Sequence, residues 1–314
     1  MTQSDVPGLI ASPTRSRRYT YGQAAAHVLG HVDRDGRGLA GLEVQYQEAL
    51  EGVAGQQTVR RDRVRRRTAL VDGARVEPKH GESLVLTLDL YRQSILEEEL
   101  ARGVQEAGSQ WGAAVAIDPK TGAVLAMANV PTYNPNSAGA SSISQRRNRA
   151  MTDQLEPGST FKLVAAAAAL DEGVVRMDEM IETGEGWGVF AGRTLRDTKA
   201  HGTIPFSDVI AVSSNVGTAR VAGRIDPDAF YQTARAMGFG QPTYIDLPGE
   251  ADGRLKRPSE WSGTTRASMA IGYEVSATPL QVLAAYCALA NGGLLVQPYV
   301  VAERRDVTGR VTWR

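Results

Sequence analysis

Apolar residues change their spacing along this chain, and the changes mark its elements. In "GLEVQYQEALEGVAG", Leu42, Tyr46 and Leu50 recur at i, i+4 and i+8, which predicts a short helix. "QQTVRRDRVRRRTAL" reads as strand material folded by a turn. "SLVLTLDL" is an apolar strand, and Asp89 at its end is placed to cap a helix carrying Glu97, Glu98 and Glu99 on its surface. In "QWGAAVAIDPKTGAVLAMANV" two apolar strands flank Asp118-Pro119-Lys120-Thr121-Gly122. Proline presets φ there and glycine supplies a positive φ, so a hairpin is expected. Residues 131–153 are polar and aperiodic and read as a long surface connection. Helical spacing then dominates: Thr160 to Glu172, Pro205 to Arg224, Asp228 to Met237 and Thr278 to Ala290. Strands first and a helical block afterwards is an α+β arrangement.

Composition divides the chain without setting it apart from ordinary globular proteins. Its 314 residues fit one large or two modest domains. Residues 1–80 carry 13 Lys and Arg against 9 Asp and Glu, whereas residues 81–314 carry 22 against 26. The boundary is therefore expected near residue 80. The total formal charge is +0, so nothing global points to nucleic acid or another polyanion. The arginine cluster Arg60, Arg61, Arg63, Arg65, Arg66 and Arg67 has no interleaved aromatics and reads as a solvated hairpin. Cys287 is the lone cysteine, in an apolar helical context, and is expected in the core. His27 and His31 are i,i+4, but a loop-like "GHVDRDGRG" follows and no HExxH pattern exists, so no metal site is expected. The alanine-rich apolar run, Leu163 to Leu170, is eight residues, against about 20 for a membrane span. No signal peptide or membrane segment is expected in this chain.

Two serine motifs carry candidate chemistry. Ser159 and Lys162 stand i,i+3 at the start of an alanine-rich helix, so they share a face. A serine hydroxyl needs a base, and a lysine whose pKa is lowered by burial can serve. The helix N-terminus adds a positive partial charge. With 18 Ser and 5 Lys in the chain, about 0.3 Ser-x-x-Lys pairs arise by chance, so the spacing alone decides nothing. Further along, Ser213-Ser214-Asn215 interrupts a helical pattern. Ser213 and Asn215 can project into one cleft, or the trio can simply cap the next helix. A third motif of this set is Lys-Ser/Thr-Gly on a later strand. The one such triplet, Lys120-Thr121-Gly122, precedes Ser159 and belongs to the expected hairpin loop.

With these motifs in order, the sequence resembles a class B penicillin-binding protein, most similar to the septal, cell-division transpeptidases. "RRYTYGQAAAHVLGHV" and "GLAGLEVQYQEALEGVAG" resemble the family's non-catalytic pedestal. "AAVAIDPKTGAVLAMANVPTYNPN" resembles the opening of its transpeptidase domain, and "RNRAMTDQLEPGSTFK" the approach to its nucleophile. "SSNVG", "MGFGQPTYIDLPGE" and "GYEVSATPLQVLAAYCALANGG" follow in family order. The likeness runs from about Arg17 to about Pro298.

The resemblance implies a penicillin-binding, serine β-lactamase-like α+β transpeptidase domain over residues 81–314, behind a partial β-rich pedestal of the dimerisation type over residues 1–80. It implies cross-linking of peptidoglycan stem peptides ending in D-Ala-D-Ala. Ser159 would be the acylated nucleophile and Lys162 its base. Ser213 would carry the proton to the leaving amine, and Asn215 would hold Lys162 and the substrate amide. β-Lactams would acylate the same serine, and no metal or organic cofactor is implied. Partners would be the stem peptides, β-lactams and other cell-division proteins, not nucleic acid. The full-length relative would sit in the cell membrane with its site on the extracytoplasmic face. The chain reads as a fragment without the family's anchor and without its C-terminal strands, so an inactive binding module is the alternative. A serine β-lactamase or a D,D-carboxypeptidase shares Ser-x-x-Lys, but the pedestal-like region at the start of the chain argues against both.

Overall fold

Asp118 folds its hairpin as the residue types dictate. The computed structural model describes residues 16–61, 67–69 and 74–314, which fall into two units. One comprises residues 87–131 and 147–300; the other takes its described residues from 1–86, 132–146 and 301–314.

The first of these units opens with α1 (Leu90–Glu106), whose start Asp89 caps by accepting from Arg92 N at 2.9 Å. Strands β1 (Gly112–Ile117) and β2 (Val124–Val130) pair antiparallel, with Ala114 opposite Ala128 and Val115 opposite Met127. Between them the Asp118 carboxylate accepts from Lys120 N at 2.9 Å, and Gly122 takes φ +82°. Lys120-Thr121-Gly122 is thus a turn, as expected. Helix α1 is tied to β2 by the buried Gln93 amide, which both donates to Met127 O and accepts from Met127 N at 2.9 Å. Helix α2 (Arg149–Thr152) follows, with Ala150 and Met151 buried.

The stretch read as a surface connection instead holds two short 3₁₀ turns across a kink at Ser137 within Pro135–Ala140, and one-turn helices at Ile143–Arg146 and Arg149–Thr152. One turn is too short to display a period, so single buried anchors leave no pattern to read.

Beyond α2 come α3 (Lys162–Asp171) and four strands that the spacing did not reveal: β3 (Met180–Gly184), β4 (Trp187–Phe190), β5 (Arg193–Arg196) and β6 (Gly202–Pro205). β4 pairs with β5 and β3 with β6, all antiparallel. The helical block resumes with α4 (Phe206–Ala211), α5 (Asn215–Ala222), α6 (Pro227–Ala236), α7 (Thr265–Ala270) and α8 (Pro279–Ala290). Thr278 and Gln281 form a capping box on α8. Cys287 is buried in α8, and burial pushes its thiol pKa up, in keeping with a core role.

The core of this block is built around α3. Its small Ala165, Ala168 and Ala169 are buried together with Phe206 and Val209 of α4, Val221 of α5, Phe230 of α6 and Met269 of α7. Phe161 is fully buried, its ring edge-on to Phe239 at 4.8 Å. A second cluster packs Leu195 of β5 against Ala219 of α5 and Ile271.

In the other unit, the expected helix through Leu42 and Leu50 is two short helices, Gly41–Gln45 and Gln47–Glu51, broken at Tyr46 (φ −113°, ψ 23°). Val59–Arg61 and Arg67–Ala69 form the expected hairpin, with Arg60 opposite Thr68; Arg63, Arg65 and Arg66 lie outside the described residues. Ser83–Leu86, Val301–Arg305 and Val311–Trp313 make a three-stranded antiparallel sheet. His27 Nε2 meets Gln145 O at 2.8 Å, His31 Nδ1 meets Tyr133 Oη at 3.3 Å, and both rings pack edge-on against the Tyr133 ring. No helix among the described residues is long and apolar enough to cross a membrane.

Candidate active site

The serine motif sits on a tightly fixed turn. Gly158 adopts φ +58°, and its N–H donates to Gly272 O at 3.1 Å. Gly272 itself takes φ +81°, and a Cβ there would lie 2.0 Å from Gly158 O. Thr160 Oγ1 donates to Pro157 O at 2.7 Å, and Tyr286 Oη on α8 donates to Thr160 O at 3.0 Å. Glu274 N donates to Glu156 Oε1 at 2.9 Å.

Residues Gly158–Phe161 form a single 3₁₀ turn that runs into α3. Side chains at i and i+3 eclipse in a 3₁₀ turn, so Ser159 and Lys162 come to one side. Phe161 points the other way, into the core. Ser159 is exposed, whereas Lys162 is only 2% exposed. The Lys162 Nζ donates to Ser213 Oγ at 2.8 Å and to Ser213 O. The first two motifs therefore meet through Lys162 and Ser213. Ser159 Oγ shares the face of Lys162 but makes no hydrogen bond among the described residues.

The second motif occupies the break between α4 and α5. Ser213 lies in the left-handed region at φ +57°, uncommon for a residue with a Cβ, which aims both its carbonyl and its hydroxyl at Lys162. Ser214 caps α5 by accepting from Gly217 N at 2.9 Å. The two readings of the trio thus fall to different residues: Ser214 caps and Ser213 projects. Asn215 does not hold Lys162. Its Nδ2 donates to Arg196 O at 2.8 Å, because the end of β5 runs beside the start of α5.

Sequence reading missed Asp197, the first residue after β5. Its carboxylate accepts from Ser214 Oγ at 2.6 Å, Asn215 N at 2.5 Å and Val216 N at 3.0 Å. An acid at this remove from Ser213 carries no spacing signal, since its placement depends on strands that were themselves unread.

Burial pushes the Lys162 ammonium down to about 8, against the opposing pull of the Asp197 carboxylate. Near neutral pH the amine is therefore available in both protonation states. An exposed serine hydroxyl, a buried amine of intermediate basicity and a second hydroxyl on that amine form a set suited to nucleophilic acyl transfer. Among the described residues no group of three His, Cys, Asp or Glu is placed to hold a metal ion.

Comparison with known proteins gives the same direction. Residues 112–313 match the family described as the penicillin-binding protein transpeptidase domain, and residues 1–86 match the penicillin-binding protein dimerisation domain. The chain is similar to the probable peptidoglycan D,D-transpeptidase PenA of Neisseria meningitidis, with 35% identity over 281 residues, covering 89% of this chain and 48% of PenA. It is similar to the peptidoglycan D,D-transpeptidase FtsI of Escherichia coli, with 32% identity over 306 residues, covering 95% of this chain and 51% of FtsI. The chain thus spans about half the length of these relatives. The crystal structure of penicillin-binding protein 3 from Mycobacterium tuberculosis complexed with ampicillin superposes with a TM-score of 0.83 at 34% identity, covering 95% of this chain and 63% of that one.

Proposed function

The chain belongs to the class B penicillin-binding proteins, and from that premise we propose that it is a D,D-transpeptidase-type serine acyl transferase acting through a Ser159 acyl-enzyme. The observation that supports this most is the buried Lys162, held by Ser213 and set on one face with the exposed Ser159. Ser159 Oγ attacks the carbonyl carbon of the penultimate D-Ala of a peptidoglycan stem peptide while its proton passes to neutral Lys162. The C–N bond then breaks, and the proton returns through the Ser213 hydroxyl to the departing amine of the terminal D-Ala. An amine on a neighbouring stem peptide attacks the ester and forms the cross-link, releasing Ser159. Asn215, whose Nδ2 is taken by Arg196 O, offers its carboxamide oxygen to a substrate N–H.

β-Lactams present a reactive amide to the same serine, as the name of the family and the ampicillin complex of its mycobacterial relative suggest. Residues 1–86 fit a pedestal and residues 112–313 include the catalytic domain. The boundary expected near residue 80 gives way to a unit that also takes residues 132–146 and 301–314. The whole fits a place at the extracytoplasmic face of the cell membrane in the division machinery. Incubation with a fluorescent penicillin, followed by peptide mapping, tests the reading. A covalent adduct is expected on Ser159; a folded chain that takes no adduct, or takes it elsewhere, sinks the proposal.

The pH dependence follows from Lys162. The base must be neutral, so acylation should rise with pH through about 8 and then level. Between pH 7 and pH 8 the rate should rise about five-fold, the change in the neutral fraction across that interval. A rate flat across that interval would rule out Lys162 as the base.

A further inference from the structure

We propose that a pocket in the unit without Ser159 binds a phosphate-bearing ligand through Arg146 and Arg34, with His31 orienting the Arg146 guanidinium. The site is independent of the acyl-transferase reading. The pocket has a volume of about 570 Å³, and every residue that lines it belongs to that unit. Pockets of about 300–1,000 Å³ hold whole small ligands, so there is room for the phosphate and for the group that carries it. Three arginines line it, Arg17, Arg34 and Arg146, against one acid, Asp33. Their partners differ. Arg17 is committed to Glu43, its Nε donating to Glu43 Oε1 at 2.6 Å. Asp33 folds its own loop, one carboxylate oxygen accepting from Asp35 N and Arg37 N at 2.9 Å. Neither Arg34 nor Arg146 forms an ion pair among the described residues.

Buried groups set the orientation of Arg146. The Tyr133 hydroxyl donates to Ala26 O at 3.0 Å, so its oxygen is left to accept from His31 Nδ1–H at 3.3 Å. That fixes the neutral tautomer with its lone pair on Nε2, and Arg146 Nη1 donates to this Nε2 at 3.3 Å. His31 is 4% exposed, and burial, with the Arg146 charge beside it, holds its pKa below the usual histidine value. The ring therefore stays an acceptor near neutral pH. A neutral histidine aligns the guanidinium and leaves its charge uncancelled, which a carboxylate would not do. Arg146 Nε is buried and has no hydrogen-bond partner among the described residues, so the donors of this group are not all taken by protein. A cation held in place without a counter-ion, sharing a pocket with a second unpaired cation, is suited to an anion. A tetrahedral phosphate presents oxygens in several directions and can take donors from both arginines at once, whereas a planar carboxylate fills one guanidinium fork.

Calorimetric titration of the intact chain with inorganic phosphate, at an ionic strength held constant with chloride, tests the site. Saturable binding is expected, together with a shift of the His31 Cε1–H resonance in the NMR spectrum of the chain's 4 histidines. Arg146→Gln should weaken binding about 10-fold or more, the worth of a charge-assisted hydrogen bond, and Arg34→Gln should weaken it by a smaller factor. His31→Phe keeps a ring at that position and removes the acceptor, so it should weaken phosphate binding while both arginines remain. Arg176→Gln, exposed and in the other unit, is the control and should bind phosphate as the native chain does. The proposal is overturned by the absence of saturable binding, or by unchanged binding in folded Arg146→Gln. Acetate binding as tightly as phosphate overturns it too, since the pocket then selects charge alone. If Arg146→Gln fails to fold, Arg34→Gln, at an exposed position, decides in the same way. Vesicles separate the sources of the phosphate. Sedimentation with phosphatidylglycerol vesicles and not with phosphatidylcholine vesicles, lost in Arg146→Gln, identifies a lipid headgroup. Sedimentation equal in the native chain and Arg146→Gln, with phosphate binding still lost in the variant, identifies a soluble phosphate compound.

Discussion

Replacing Lys162 with methionine is expected to slow acylation of Ser159 about 10³-fold, near the floor set by Ser159→Ala, while leaving the chain folded. The size of the loss follows from the absence of a substitute base. Ser159 Oγ has no hydrogen-bond partner among the described residues, no other base is set on its face, and a hydroxyl without a base is a weak nucleophile. The expected stability change has the opposite sense from most core substitutions. Lys162 is only 2% exposed, and burial lowers its pKa from 10.5 to about 8. Below about 8 the folded chain holds a buried ammonium that the unfolded chain would hydrate, so ionisation costs stability there. Between about 8 and 10.5 the unfolded chain binds the proton that the folded chain has lost, so stability rises with pH across that window. Methionine has similar length and no charge. The variant should melt at or above the native temperature at pH 7, and its stability should lack the rise between pH 8 and 10.5. Thermal melts at several pH values, paired with penicillin labelling rates, check both halves. A variant that labels at the native rate would show that Lys162 is not the base.

The part of this site that was legible in sequence is the part written in local spacing. Ser159 and Lys162 stand i,i+3 on one turn, so their shared face needs only helical geometry. The hairpin at Asp118–Gly122 and the cap at Asp89 were likewise set by residues within a few positions of each other. What failed was non-local. The four strands from Met180 to Pro205 are only four or five residues long, and burial alternates along the first two but not along the last two. No window there is long enough to show a period. Without those strands, neither the place of Asp197 nor the diversion of Asn215 to Arg196 O could be inferred. Helix boundaries failed for a related reason. The run from Pro205 to Arg224 has one apolar rhythm, yet it breaks at Ser213, where the backbone turns left-handed to reach Lys162. The interruption was visible as a cluster of polar residues, but its direction in space was not.

The same non-local logic gives Gly272→Ala a large expected effect, although position 272 is far from the nucleophile in sequence. A methyl group there would stand 2.0 Å from Gly158 O and 2.5 Å from Gly158 C and N. These are backbone atoms of the turn that presents Ser159, so no side-chain rotation relieves the overlap. Alanine at φ +81° adds the left-handed penalty of an L-residue, about 1–2 kcal/mol. With the cost of forcing atoms into a packed site, the total should be about 3 kcal/mol. The turn must also retreat, which moves Ser159 relative to Lys162 and should reduce acylation about 10²-fold in the protein that remains folded. Gly103→Ala is the matching control. Gly103 lies inside α1 with open space around it, so alanine there should stabilise by about 0.5–1 kcal/mol and leave labelling unchanged. If Gly272→Ala melts and labels like the native chain, the contact between Gly158 and Gly272 does not set the nucleophile's position. If only labelling falls, the turn has moved without loss of the core, which would separate the placement of Ser159 from the packing of the nearby Phe161.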